Sequence, residues 1–355
     1  MTDVARRPRL TVGGFAAKCA IAALQKRNTA IQPLLRRAGL SEHDLDDPSI
    51  RVPATSQGTL LEYAAEATGD AALGLHLAEQ ANPRDVGLLF YIASAAKNFG
   101  EALALFSRYR AINNESVRLK LSPRSEGVIV DIDFLGVSQH HVKQNTEFWI
   151  GVMIKAAREI TGRDIRPSRV ACTHFRNSEL REFERFYGCP VEFGAPSDQL
   201  AFSNETLAIP VDTKDPHLLK TLRPICEEAL RAAKTQVTLR ASVESEVQRL
   251  LPQGQATARS VAGALSVSAR TLSRRLADEG TTYAEVVDQL RQSLALEYLK
   301  DSSVSVSQIA WRLGYATPSS FNHEFKRWMG RSPSIGRNRH ASAKAPGDRA
   351  PTGEA

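Results

Sequence analysis

The chain has 355 residues, 42% of them hydrophobic, and 46 Lys and Arg against 39 Asp and Glu give it a formal net charge of +7. That length allows two domains with cores of their own, the apolar content excludes a chain disordered throughout, and the basic balance is compatible with a polyanionic partner. Cys19, Cys172, Cys189 and Cys226 are too scattered for a disulfide framework or a zinc knuckle, so no metal or cofactor is expected. Residues 1–10 are polar and basic, and no apolar run suits a bilayer span or a secretory leader; the expectation is a cytoplasmic protein with no membrane partner.

In chain order, Gly14 to Leu40 carries a helical pattern with Ala20, Leu24, Ile31, Leu34 and Leu35 as apolar contacts, followed by an acidic turn at Asp44 to Asp47. Pro48 and Pro53 bracket an extended connection before helices over Thr59 to Ala67 and Ala71 to Gln80, where His76 is expected at a core or edge position. Val86 to Ala95 is apolar but too short to span a bilayer, and Phe99 to Ile112 forms an amphipathic helix. Alternating runs at Ser116 to Ser122 and Gly127 to Phe134, separated by Pro123 to Glu126, predict a β-hairpin. A long helix follows from about His140 to Thr161; the adjacent His140 and His141 diverge on it and make a poor metal pair. Ser168 to Thr173, Val191 to Phe193 and Gln199 to Phe202 read as strands, and Leu180 to Tyr187 as a short helix, so this part is α+β. Phe90, Tyr91, Phe148 and Trp149 suit either pocket walls or core, with core the expectation. Helices over Asp215 to Gln236 and Arg240 to Leu251 place a domain boundary near Lys234 to Leu239.

Two similar helical units follow, predicting an all-α C-terminal domain. In the first, Val261, Ala262 and Leu265 form an apolar edge, Ser266 to Ser268 breaks the helix, and Ser268 caps the next one. In the second, Ile309, Ala310 and Leu313 repeat the edge, Gly314 supplies a left-handed stop, and a new helix opens around Thr317 and Pro318. This is the helix-turn-helix arrangement, in which the second helix of each pair reads a DNA major groove. Leu272 and Leu276 should face the core and leave Arg270, Ser273 and Arg274 outside; Phe321, Phe325 and Trp328 form the second buried stripe and leave Ser319, Asn322, His323 and Lys326 outside. Arginine suits bidentate contact with guanine, Asn322 suits adenine, and Lys326 suits phosphate. The plainer alternative, two charged helix faces that are merely solvated, has to explain the same turn and basic outer face occurring twice.

The run Ser268-x-Arg270-Thr271-Leu272-x-Arg274-x-Leu276, then Ile309-Ala310-x-x-Leu313-Gly314-Tyr315, then Ser320-Phe321-x-x-x-Phe325-Lys326-Arg327-Trp328-x-Gly330-x-Ser332-Pro333 closely resembles the C-terminal DNA-binding domain of the AraC family of transcriptional regulators. The resemblance implies a long connecting helix, here Tyr283 to Leu299, that holds both readers on one face of the DNA. His323 and Glu324 depart from the family pattern, which usually has arginine at position 323, and Ser334-Ile335-Gly336-Arg337 alters the ending. Residues from about Leu34 to Ala233 resemble the family's arabinose-binding-like regulatory domain in LLRRAGL, GLLFYIASAAKNFGEAL and YGCPVEFGAPSDQLAF.

The implied organisation is an effector-binding and dimerisation domain over 1–235, a double helix-turn-helix domain over 240–338 and a disordered tail over 339–355. The implied partners are double-stranded DNA, an unidentified small-molecule effector and a second copy of the chain; contact with RNA polymerase stays open. Two alternatives differ in class. One is a DNA-modifying or repair enzyme using a cysteine, for which Cys172 and His174 on one strand face are the nearest approach to a reactive pair. The other is a DNA binder with no effector. No phosphate-binding glycine loop, HExxH helix or Gly-x-Ser-x-Gly elbow is present.

Overall fold

The computed structural model describes residues 10–43, 51–135, 143–176, 178–236, 239–299 and 304–335. The acidic turn at 44–47, the His140 and His141 pair, the altered ending at 336–337 and the tail over 339–355 lie outside them. The chain divides into two compact units, Met1–Thr238 and Leu239–Ala355.

The first unit is α+β. It comprises β1 (Thr11–Val12), α1 (Phe15–Lys26), α2 (Gln32–Ala38), β2 (Val52–Pro53), α3 (Ala54–Thr68), α4 (Leu73–Gln80), α5 (Leu88–Ser94) and α6 (Phe99–Tyr109). The hairpin β3 (Val117–Arg124) and β4 (Gly127–Phe134) follows, then α7 (Lys143–Thr161), β5 (Arg169–Cys172), α8 (Leu180–Tyr187), β6 (Val191–Phe193), β7 (Asp198–Ser203), α9 (Asn204–Ala208) and α10 (Pro216–Gln236). β1 and β2 pair with each other, and the other five strands form one sheet in the order β3-β4-β7-β5-β6, antiparallel except for β5 with β6.

Three boundaries differ from the sequence expectation. The single helical pattern over 14–40 is two helices, because Asn28 takes a left-handed backbone (φ 51°) and Pro33, near the start of α2, cannot continue a helix. Helix α3 starts five residues before the expected Thr59, directly after Pro53. The hairpin loop is only Ser125 and Glu126: Pro123 stays in β3, which it can do because β3 is an edge strand.

Helix α7 joins two cores. Ile150, Ile154 and Ala157 pack with the sheet, whereas Phe148, Val152 and Ile160 pack with the helical layer. A helix covered on both sides shows little of the one-faced pattern expected of a surface helix, and α7 buries Gln144, Asn145, Thr146 and Glu147 as well. Glycine permits its closest approach to α4: a Cβ on Gly74 would lie 2.2 Å from the Gln144 carbonyl oxygen.

The second unit is all α: α11 (Leu239–Leu250), α12 (Ala258–Ala264), α13 (Ala269–Asp278), α14 (Tyr283–Tyr298), α15 (Val306–Arg312) and α16 (Pro318–Met329). One core containing Val243, Val261, Leu272, Leu276, Leu290 and Phe321 runs through it.

Candidate nucleic-acid interface and regulatory cavity

Each expected reading helix starts on a side-chain cap. The Ser268 hydroxyl accepts the Thr271 N–H at 3.1 Å to open α13, and the Thr317 hydroxyl accepts the Ser320 N–H at 3.2 Å to open α16. Leu272 and Leu276 are fully buried, and Arg270, Ser273 and Arg274 stand exposed on the other side of α13. On α16, Phe321 and Phe325 are fully buried, and Ser319, Asn322, His323 and Lys326 are exposed. Trp328 departs from the expected stripe: it is half-buried, with its indole N–H donating to Asp288 at 3.0 Å, because its polar edge is drawn to the α14 carboxylate.

Among the described residues, no ion pair or hydrogen bond engages the side chains of Arg270, Arg274 or Lys326, so their charges face solvent unneutralised. Arg275, which the sequence reading passed over, is exposed as well. It lies three residues after Leu272, a spacing that helical periodicity places toward the buried side, so its exposure is not evident from the pattern. The end of α16 differs: Arg327 is held at 2.6 Å by Asp288 and at 2.7 Å by Glu324. The hydrogen bond from Arg327 holds the Glu324 carboxyl below its usual range. Glu324 therefore neutralises a neighbour, and His323 stands 3.4 Å from the same carboxylate.

Helix α14 fastens the second unit's turn. Arg291 donates to the Leu313 carbonyl at 3.0 Å and lies 4.7 Å from the Tyr315 ring centre. At the other end, Glu279 accepts the N–H groups of Leu239 and Arg240 at 2.9 and 3.0 Å, tying the end of α13 to the start of α11. These contacts fix how the reading helices leave the core, and they link residues that sequence spacing does not relate.

In the first unit a small cavity of about 20 Å³ lies where α5, α6 and α7 meet the β3–β4 hairpin, with room for about one water. Leu89, Phe106 and Phe134 supply apolar wall, and Arg110, Thr146 and Trp149 supply polar groups. The Thr146 hydroxyl and the Trp149 indole N–H are buried without a hydrogen-bond partner. Arg110 donates to the carbonyls of Val117 and Ser107, but no carboxylate pairs with it among the described residues. Burial, and secondarily Arg118, lowers its pKa. Of the four aromatic candidates only Trp149 lines this cavity; Phe148 and Phe90 are core and Tyr91 is exposed. Nothing in the sequence pattern singles out Arg110 or Thr146.

The cysteines are poorly placed for nucleophilic chemistry. Burial pushes the thiols of Cys19 and Cys226 up to about 11, raises Cys189, and raises Cys172 well above the ordinary thiol range. Their reactive thiolate forms are therefore suppressed. His76 is an edge residue, paired with Asp70 at 2.9 Å and Glu182 at 3.4 Å.

A family model described as the arabinose-binding domain of AraC transcription regulators, N-terminal, matches residues 29–211, and a helix-turn-helix domain model matches residues 261–339. The chain is 26% identical over 309 residues to the ornithine utilization regulator of Pseudomonas aeruginosa, covering 85% of this chain and 89% of that one. It is 27% identical over 277 residues to the HTH-type transcriptional regulator VirS of Mycobacterium tuberculosis, covering 77% and 81%. Among solved structures, the transcriptional regulator CdpR from Pseudomonas aeruginosa aligns over 91% of this chain and 98% of its own, with 25% identity and a TM-score of 0.44.

Proposed function

Since the chain belongs to the AraC family and is a DNA-binding transcriptional regulator, we propose that it works as a ligand-responsive switch in which Arg270, Ser273 and Arg274 on α13, and Ser319, Asn322, His323 and Lys326 on α16, contact DNA in adjacent major grooves. The observation that carries this assignment is that two capped helices present exposed side chains opposite fully buried Leu272, Leu276, Phe321 and Phe325, with Arg270, Arg274 and Lys326 unpaired among the described residues. Helix α13 is the more basic reader. On α16 the pairing of Arg327 with Asp288 and Glu324 leaves Lys326 as the charge directed at phosphate.

In this proposal the effector enters the first unit at the cavity beside Arg110, Thr146 and Trp149. A buried indole N–H without an acceptor and a guanidinium without a carboxylate suit a small molecule that carries an acceptor or anionic group and an apolar body. A metabolite needs a site of roughly 300 Å³ or more, so binding must widen the cavity by moving α7 relative to the hairpin. That movement supplies the difference between states through which the effector acts on dimerisation and DNA binding. The setting is cytoplasmic, the working form is a homodimer, and the protein acts by binding, without a catalytic step. Contact with RNA polymerase belongs to the same proposal and rests on no particular residue.

The deciding experiment titrates the full chain onto its own promoter DNA by fluorescence anisotropy, with and without amino acids, sugars and aliphatic acids chosen by thermal shift. The proposal expects at least one compound to raise the melting temperature and alter DNA affinity. Trp149→Phe and Arg110→Gln should remove that response while leaving effector-free DNA binding intact. DNA binding that no compound alters would support the effector-independent alternative.

A further inference from the structure

Three side chains from β5, the bend after it and β7 meet at one end of the sheet. Cys172 ends β5, Asp198 begins β7, and these strands are antiparallel neighbours with Ala171 opposite Gln199. One step further along that register sets Cys172 and Asp198 side by side. His174 follows Cys172 by two residues, in the bend just past the end of β5. The Cys172 sulfur, a His174 ring nitrogen and an Asp198 carboxylate oxygen all lie within 4.8 Å of one another.

The surroundings point to a cation. Cys172 is fully buried and Asp198 is 7% exposed; Thr173 hydrogen-bonds the Asp198 carboxylate, its N–H at 2.6 Å, and among the described residues no Lys or Arg lies within ion-pair distance of it. A carboxylate buried there is costly to ionise unless a cation meets it. Arg176 does not supply the charge, because it is engaged by Glu147 at 2.5 and 2.6 Å. His174 is already oriented: its Nε2 lies 2.7 Å from the fully buried Glu147, which directs Nδ1 elsewhere. A histidine held on Nε2 by a carboxylate, with a thiol and a second carboxylate within 4.8 Å of its ring, matches the outer-shell arrangement that orients imidazole toward a metal.

We propose that Cys172, His174 and Asp198 form a binding site for one zinc-class divalent cation, with Cys172 Sγ, His174 Nδ1 and an Asp198 oxygen as ligands and Glu147 as the residue positioning His174. Sulfur, nitrogen and oxygen donors together suit zinc and its borderline neighbours and disfavour calcium or magnesium, which take oxygen ligands. Metal–ligand bonds of about 2.0–2.3 Å place tetrahedral donors roughly 3.3–3.8 Å apart. Donors within 4.8 Å therefore reach that geometry by small side-chain rotations. Three protein ligands leave a fourth position for water or a small anion. On binding, the thiol proton passes to solvent and the sulfur coordinates as thiolate.

The test uses the metal-stripped full chain and Co²⁺ as a spectroscopic substitute for Zn²⁺. One equivalent of Co²⁺ should produce a near-ultraviolet thiolate-to-cobalt charge-transfer band, Zn²⁺ should displace it, and Zn²⁺ should raise the melting temperature of the chain. Cys172→Ser should remove the band and Cys189→Ser should leave it unchanged. Asp198→Asn should weaken binding at least tenfold, and Glu147→Gln should weaken it about 10–100-fold with the band retained. Absence of a band in the wild-type chain, or its survival in Cys172→Ser, overturns the proposal. The wild-type titration decides the matter even if a variant does not fold.

Discussion

Ser266 and Gly314 hold the same place in two turns built alike: φ is 56° at Ser266 and 73° at Gly314, and the N–H of the next residue reaches back five positions, from Val267 to the Ala262 carbonyl and from Tyr315 to the Ala310 carbonyl. One backbone solution therefore serves both helix-turn-helix units, and one residue type suits it better than the other. At Gly314 a Cβ would also lie 2.5 Å from the Leu251 carbonyl oxygen. Gly314→Ala should destabilise the second unit by about 1–3 kcal/mol through left-handed strain and this close approach. Urea unfolding of the full chain checks it, and an unchanged midpoint contradicts it. Ser266→Gly should instead stabilise that unit by about 0.5–1 kcal/mol, since relief of strain exceeds the entropy lost by glycine.

Arg274→Ala should cost about 1–3 kcal/mol in binding to the preferred DNA site and relax discrimination at one base pair. Competition titrations against single-base variants of the site measure both effects. Loss of affinity with unaltered discrimination would reassign Arg274 from base to phosphate.

Lys326→Ala and Glu324→Gln should act in opposite directions. Removing Lys326 should weaken binding to all sequences alike and reduce the slope of log affinity against log salt by about 1. Glu324→Gln deprives Arg327 of one of its two carboxylate partners and should steepen that slope. Identical slopes for wild type and Glu324→Gln would show that Asp288 alone keeps Arg327 from the DNA.

Glu62, half-buried on α3 where it accepts the Gln144 N–H at 2.8 Å, gives the first unit a pH dependence. Burial raises its pKa from 4.5 to about 7. A carboxyl with its folded pKa above its unfolded one binds more protons in the folded state between those values. Its contribution is therefore favourable at low pH and is lost as pH rises from about 4.5 through 7. Glu62→Gln should remove this trend, so the melting temperature of the variant relative to wild type should be higher at pH 8 than at pH 5. A constant difference between the two pH values would count against it.

Much of the proposed DNA-reading surface was legible in the residues alone, because helix periodicity and capping are local. Leu272 and Leu276 sit one turn apart, Ser268 precedes an amphipathic run, and Gly314 follows an apolar edge; these facts decide which way Arg270, Arg274, Asn322 and Lys326 point without knowledge of the rest of the chain. The hairpin, the short strands and the two-part α+β and all-α organisation follow from the same short-range patterns.

Tertiary structure decided what depends on residues far apart in the chain. Asp288 lies 39 residues before Arg327, and only their ion pair shows that the charge of Arg327 is already engaged. The parallel pairing of β5 with β6, the burial of α7 on both sides, and the meeting of Arg110, Thr146 and Trp149 around one cavity come from packing that no periodicity encodes. The clearest case is Asp198, which the sequence leaves as an ordinary acidic residue. The register of β7 on β5 sets it beside Cys172, the bend after β5 brings His174 close, and burial there removes the water that would otherwise solvate a carboxylate.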